Sequence, residues 1–431
     1  MQADLSFEQA PPISVPLRFF LSAPIFGLVA GVLLSWWGAD VATSRWLGET
    51  LALTHLLVAG FMLQAMTGAL FQFLPVAAGC NIDRPMLVAR MAHPLLLAAA
   101  LLLPFGLASG IAVALRVAAV LFLLAVAIIA VATGRALLRT PARGATVLAL
   151  RLAVGGLAVT VLLGTALVDG LAGQRNWPLA DLTSVHVAWG FGGWALMLLA
   201  GVSYFVVPMF QLTPPYPPRF ARWLPLLLLA VLLAWSLQMI APIPQRLVLV
   251  CGLALAGAFS GVTLWLQQRR RRRIGDPVFW FFRLAMSCLL AAALLGTAAA
   301  ILPALHDEPG VAWTLGVLLI PGVFMSAING MLYKIVPFIS WLHLQRLASP
   351  GTQVPNVHEL LPGSAMRGQM SVHLLAMALL LVSSIWPLAV SLAGAAFAAS
   401  SAWLGVNLSR TALHFVQARD RIGASEPGRQ S

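Results

Sequence analysis

A spaced pattern of glycine, aromatic and proline residues occurs three times in this chain and constrains its fold more than any other feature. The pattern is G-x7-G-x2-[F/Y]-x3-P, and each copy lies in a long apolar run. Its first glycines, Gly60, Gly193 and Gly322, are 133 and 129 residues apart. Such a regular period predicts a threefold internal repeat. The three copies are Gly60, Gly68, Phe71 and Pro75; Gly193, Gly201, Tyr204 and Pro208; and Gly322, Gly330, Tyr333 and Pro337.

The apolar runs predict an all-α integral membrane protein. Of 431 residues, 60% are hydrophobic and 9% are charged, and the mean hydropathy is +0.92, whereas a soluble domain carries roughly a quarter charged residues. Runs of about 18–25 apolar residues predict membrane-spanning helices. We predict a single transmembrane domain over residues 1–431 with twelve such helices. They lie near 17–37, 50–77, 92–114, 115–137, 147–169, 183–211, 221–241, 245–267, 278–303, 311–340, 369–387 and 389–416.

Four helices for each copy of the pattern predict a pseudo-threefold arrangement of three units, at about 17–137, 147–267 and 278–416. The pattern then falls on the second helix of each unit, and we expect helices 2, 6 and 10 to form an inner ring. Glycines eight residues apart lie within about 80° on a helix. Each pair therefore forms a smooth stripe of the kind that packs closely against another helix.

The arginines predict the orientation, because positive residues favour the cytoplasmic side. Both termini then lie on the basic side, which requires an even number of helices, and twelve meets that requirement. We therefore expect a multi-pass protein of the bacterial inner (cytoplasmic) membrane with short cytoplasmic tails and with the lipid bilayer as its partner. We therefore attribute the net charge of +13 to residues that set the orientation in the membrane and contact lipid head groups, and we expect no nucleic-acid partner. One set of connections holds Arg84, Arg90, Arg135, Arg139, Arg143, Arg219, Arg222, the run Arg269–Arg273, Arg346, Arg367, Arg419, Arg421 and Arg429. The other holds Arg45, Arg116, Arg175 and Arg246 among Asp40, Glu49, Asp169, Asp181, Asp307 and Glu308.

Two histidines lie deep enough to be candidate haem or copper ligands. His55 and His186 each sit a turn or more inside helix 2 or helix 6, and ionisable groups inside a membrane mark functional sites by default. His55 precedes the first glycine of its copy by five residues and His186 by seven, so about 200° of helix rotation separates their positions. Either both face the gap between helices 2 and 6, or each faces away from the other toward helix 10. A hydrogen bond to a neighbouring helix is the alternative role for each.

Further polar and sulfur-bearing residues follow on the same helices. Met66 and Met197 lie eleven residues after His55 and His186, on the histidine face, where a thioether suits copper(I); packing is the alternative. Helix 10 carries a polar track that either lines a path or joins helices. The track consists of Ser326, Asn329, Tyr333 and Lys334. The cysteines Cys80, Cys251 and Cys288 have neither metal spacing nor a disulfide pattern.

One segment resembles a known family. Thr54 to Leu57, Gly60-Phe61 and the stretch from Gly68 to Pro75 resemble helix 2 of subunit I of the haem-copper oxidase superfamily, and of its smaller NnrS-type relatives linked to nitric oxide stress. The twelve-helix, threefold plan matches the same family over nearly the whole chain. The resemblance implies that His55 ligates a haem b. It also implies that His186 stands where the family carries a copper ligand.

The chain departs from that family at the oxygen-reducing centre. Gly190 stands where the oxidases have a tyrosine, helix 7 has no histidine pair, and helix 10 has no histidine at depth. We therefore expect no oxygen reduction and no proton pumping. Three functions stay open: a non-respiratory haem or copper protein linked to nitric oxide handling or denitrification; a transporter or channel; and a structural or assembly partner of a respiratory or denitrification complex.

Overall fold

The protein is a bundle of helices. The structure, a computed structural model, describes residues 9–173, 175–271, 275–306, 308–349 and 352–424. Within those ranges it contains no strand, and twelve helices are long and apolar enough to cross a membrane, which confirms the predicted class and count. The predicted sites at Arg272, Arg273, Asp307 and Arg429 lie outside the described residues. The spanning helices, in order, are Ser14–Ala42 (α1), Gly48–Ala78 (α2), Pro85–Ser109 (α3), Ala112–Arg139 (α4), Ala145–Leu171 (α5), Leu179–Gln211 (α6), Pro218–Met239 (α7), Gln245–Gln268 (α8), Pro277–Ile301 (α9), Pro309–Leu347 (α10), Gly363–Val382 (α11) and Ala389–Ala424 (α12).

Two helices begin about six residues earlier than the sequence predicted. Pro85 occupies the first turn of α3, where its fixed φ favours helix and its missing N–H costs nothing. Gly110, with a φ of +71°, ends that helix. The early start of α11 at Gly363 places His373 about 15 Å along it. His373 is 1% exposed and therefore lies inside the bundle.

Helix packing has the same form in all three units. The last helix of each unit packs against the first helix of the next, in the pairs α4–α5, α8–α9 and α12–α1. Within each unit the first helix packs against the second, in the pairs α1–α2, α5–α6 and α9–α10. The α12–α1 contact therefore closes the three units into a ring.

The helices α2, α6 and α10 contact one another inside this ring. Phe73 of α2 and Phe205 of α6 pack with ring centroids 5.8 Å apart, and Phe191 of α6 stacks on Phe324 of α10 at the same distance. Residues 56–62 of α2 contact residues 318–325 of α10. We call the end of the bundle where these three helices begin the histidine end.

The glycines of the repeated pattern face outward from this centre, toward the first helix of their own unit. A Cβ at Gly68 would lie 2.8 Å from the Phe20 ring of α1, and one at Gly330 would lie 2.8 Å from Cβ of Phe281 on α9. A Cβ at Gly201 would lie 2.9 Å from Cβ of Ala149 on α5. Real Cβ atoms do not approach so closely, so the pattern marks small-residue helix packing.

Each of the three inner helices also contains a π-helical segment, in which hydrogen bonds run from i to i+5. The segments are Leu56–Met62, Trp189–Leu196 and Leu318–Met325, and each begins four residues before the first glycine of its copy. Such segments are rare and occur frequently at functional sites. In α2 the segment begins directly after His55, so the irregular turn positions that histidine.

Candidate functional site

His55 is held by the backbone of its own helix. Its Nδ1 lies 2.7 Å from the carbonyl oxygen of Leu51, one turn earlier in α2. A carbonyl oxygen only accepts hydrogen bonds, so Nδ1 carries the proton. In the neutral imidazole, Nε2 then keeps a lone pair, which is the form that binds a metal.

His186 is held in the same tautomer by a neighbouring helix. Its Nδ1 lies 3.0 Å from the carbonyl oxygen of Thr160, which belongs to α5. Within the described part of the chain, no group donates a hydrogen bond to Nε2 of either His55 or His186. Two lone pairs are therefore left without partners in an apolar region.

The two imidazoles face each other across the gap between α2 and α6. Their ring centroids are 6.4 Å apart and their planes differ by 24°. Both rings therefore border one space between α2 and α6, where a single bound group would contact them both.

This pairing decides between the two arrangements left open by the sequence. His55 lies five residues before the first glycine of α2, and His186 lies seven residues before the first glycine of α6. Adjacent units around a threefold axis present different faces of the same helix to their shared gap. The two-residue offset is therefore what brings His55 and His186 together.

A cavity of about 320 Å³ surrounds the imidazole pair. That volume lies within the range of small-molecule sites, roughly 300–1,000 Å³. Its wall is almost entirely apolar and comes from α2, α3, α4, α5 and α6. It includes Leu103, Phe122, Leu157, Val161 and Trp194.

Small residues make the space beside His186. A Cβ at Gly164 would lie 3.1 Å from Cε1 of His186, and one at Gly190 would meet only Cγ2 of Thr160, at 3.5 Å. Both glycines line the cavity. Gly190 is also the position at which the oxidases carry a tyrosine, so its missing side chain contributes directly to this space.

The residues present fit a haem held by His55 and His186. The two unbonded Nε2 atoms and the apolar wall suit an iron porphyrin, for which neutral imidazole is a common ligand. A bare metal ion would leave most of the cavity unfilled. At the rim, Arg116 donates to the carbonyl oxygen of Ala172, beside Leu171 of the wall.

The two candidate methionines, Met66 and Met197, lie away from this cavity. Met66 and Met197 are buried, 6% and 1% exposed, and neither lines the cavity wall. Eleven residues of helix place each about 16 Å from the histidine before it. Within the described residues, no cluster of three or more histidine, cysteine or acidic side chains is placed to hold a metal ion.

Two polar residues of α10, Ser326 and Tyr333, face the other helices of their own unit. The Ser326 hydroxyl lies 2.8 Å from Nε2 of His373 on α11, and Asn407 of α12 donates to the Tyr333 hydroxyl at 2.9 Å. The Oδ1 atom of Asn329 has no hydrogen-bond partner among the described residues. Lys334 lies 5.3 Å above the Phe210 ring of α6. Ser326 and Tyr333 therefore join helices, as one of the two sequence interpretations held.

Sequence reasoning missed the contribution of α5. Thr160 orients His186 through a backbone carbonyl, and Gly164 gives the imidazole room. No side-chain chemistry marks either position. The only feature of the sequence that reflects the cavity is the presence of glycine at positions that line it.

No protein-family model and no curated protein sequence matches this chain.

Proposed function

We propose that this protein is a non-respiratory haem protein of the bacterial inner membrane, with a b-type haem held between His55 and His186. One observation carries the proposal: two imidazoles, each fixed through Nδ1 and each with an unbonded Nε2, line one apolar cavity with their ring centroids 6.4 Å apart. The arginine distribution supports cytoplasmic termini. The histidine end then faces the periplasm.

The chain's own groups define what such a site does. The carbonyl oxygens of Leu51 and Thr160 fix both tautomers and limit rotation of the rings. The apolar wall excludes water from the space between them. His55 and His186 would hold a haem in this space, and the group would supply one-electron chemistry there. The bond from His186 joins two helices, so separation of α5 and α6 releases that ring, whereas His55 moves with its own helix.

An oxygen-reducing dinuclear centre has no support in this chain. Helix α7 contains no histidine, and in α10 the first is His343, near the end of that helix. The resemblance of the α2 segment supports nitric oxide handling as the physiological role. The imidazole pair also suits copper(I), but the 320 Å³ cavity favours the larger group.

The test is the visible spectrum of the purified protein, oxidised and reduced, with haem and copper assays on the same sample. We expect a six-coordinate, low-spin b-type spectrum. His55→Ala and His186→Ala should each abolish that spectrum, while the exposed control His358→Ala should keep it. Met66→Leu and Met197→Leu should leave haem content unchanged. Unaltered haem and copper contents in both histidine variants would refute the proposal.

A further inference from the structure

A second cavity of about 490 Å³ opens at the histidine end between α2 and α10. Its wall is built from Ala30, Leu34, Leu57, Ile320 and Phe397 on α1, α2, α10 and α12, and from the α1–α2 connection. It lies against the other face of the α2 segment that carries His55, and Thr54 lines both cavities.

The threefold repeat relates this second cavity to the histidine cavity. In the histidine cavity, α2 supplies His55, five residues before its first glycine, and α6 supplies His186, seven residues before its first glycine. In the second cavity the corresponding residues are Val317 of α10 and Leu53 of α2, and both line it. Aliphatic side chains thus stand where the imidazoles stand in the first cavity. The second cavity has no metal ligand at those positions and suits an apolar body.

Its mouth carries charges of both signs. Arg45 and Glu308 line the cavity, as do the hydroxyl-bearing Thr43 and Ser44. The Arg45 guanidinium lies 5.0 Å from the centre of the Trp46 ring, a cation–π contact that fixes its direction. Among the described residues, no acid forms an ion pair with Arg45 and no base forms one with Glu308.

We propose that the second cavity binds one zwitterionic phospholipid. The phosphate meets Arg45, which is well suited to phosphate oxygens, and the head-group ammonium meets Glu308. One acyl chain lies along the apolar wall beside Leu53 and Val317. An anionic lipid would place uncompensated negative charge beside Glu308, and an uncharged head would leave both ionic groups without partners.

Gly316 allows a specific test, because it lines the second cavity and a Cβ there would meet no atom within 4 Å. Gly316→Phe therefore fills the cavity without a clash at the backbone. Gly155→Phe is the matched control, since Gly155 is equally open but lies on the exposed face of α5. The probes are phosphatidylethanolamine, phosphatidylglycerol and a short-chain ubiquinone. Each is added to delipidated protein, and retained adducts are counted by native mass spectrometry.

We expect one retained phosphatidylethanolamine per chain in the wild type and in Gly155→Phe, and none in Gly316→Phe. Glu308→Gln should lower the preference for phosphatidylethanolamine over phosphatidylglycerol about tenfold. Equal retention of phosphatidylglycerol, retention of the quinone instead, or full retention in Gly316→Phe would each overturn the proposal. The visible spectrum of the same samples tests the haem proposal by itself, so either proposal can fail without the other.

Discussion

Gly164→Ala tests the assignment of His186 as a ligand without removing the imidazole. The new Cβ would lie 3.1 Å from Cε1 of His186, whereas carbon atoms pack best at about 3.5–4.0 Å. The ring must therefore shift by about 0.4 Å, and metal sites tolerate about 0.2 Å. Because alanine favours helix over glycine by about 0.5–1 kcal/mol, the variant should still fold.

A disturbed ligand orientation typically costs about 10–100-fold in affinity, which corresponds to about 1.4–2.7 kcal/mol. The assay is the rate of haem transfer to excess apo-acceptor protein, followed at the Soret band, with the low-spin electron paramagnetic resonance signal as a second measure. Gly155→Ala, on the opposite face of α5 and with no neighbour within 4 Å, is the control. If Gly164→Ala releases haem at the wild-type rate and keeps the wild-type resonance signal, His186 is not the ligand.

Three further outcomes follow from the structure. Gly156→Ala should cost about 1–3 kcal/mol of stability, because its Cβ would strike the Gly193 carbonyl, while Gly155→Ala should cost nothing; equal thermal unfolding temperatures in one detergent would contradict this. Leu53→His combined with Val317→His should raise the haem-to-protein ratio from one to two, and an unchanged ratio would show that the two cavities are not equivalent. Cys80 is 1% exposed, and burial raises the pKa of its thiol, so alkylation at pH 8 should be slow until the chain unfolds; mass spectrometry showing equal native and unfolded rates would disprove it.

The sequence predicted those features that depend on local chemistry. Apolar run length determines which segments cross the membrane, and the lack of a Cβ at Gly68 or Gly330 permits close packing wherever the helix lies. The early start of α3 at Pro85 was also accessible, because proline favours the first helical turn. A search for apolar runs missed that start because polar and charged residues lie near Pro85.

The pairing of the histidines depends on relations between helices. Whether His55 meets His186 depends on the relative rotation of α2 and α6, and each of these helices contains a π segment that changes this rotation. The carbonyl of Thr160 that orients His186 comes from a third helix. The site therefore required coordinates, although the sequence had already marked its two imidazoles as candidates.

The three π segments also set which direction each inner helix presents on either side of them. A turn closed from i to i+5 holds one more residue than a turn closed from i to i+4, and one residue corresponds to about 100° of helix rotation. All three segments begin four residues before the first glycine of their copy. The residues before each segment, His55 and His186 among them, therefore point in a different direction from the one that an unbroken α-helix through the glycine stripe would give them.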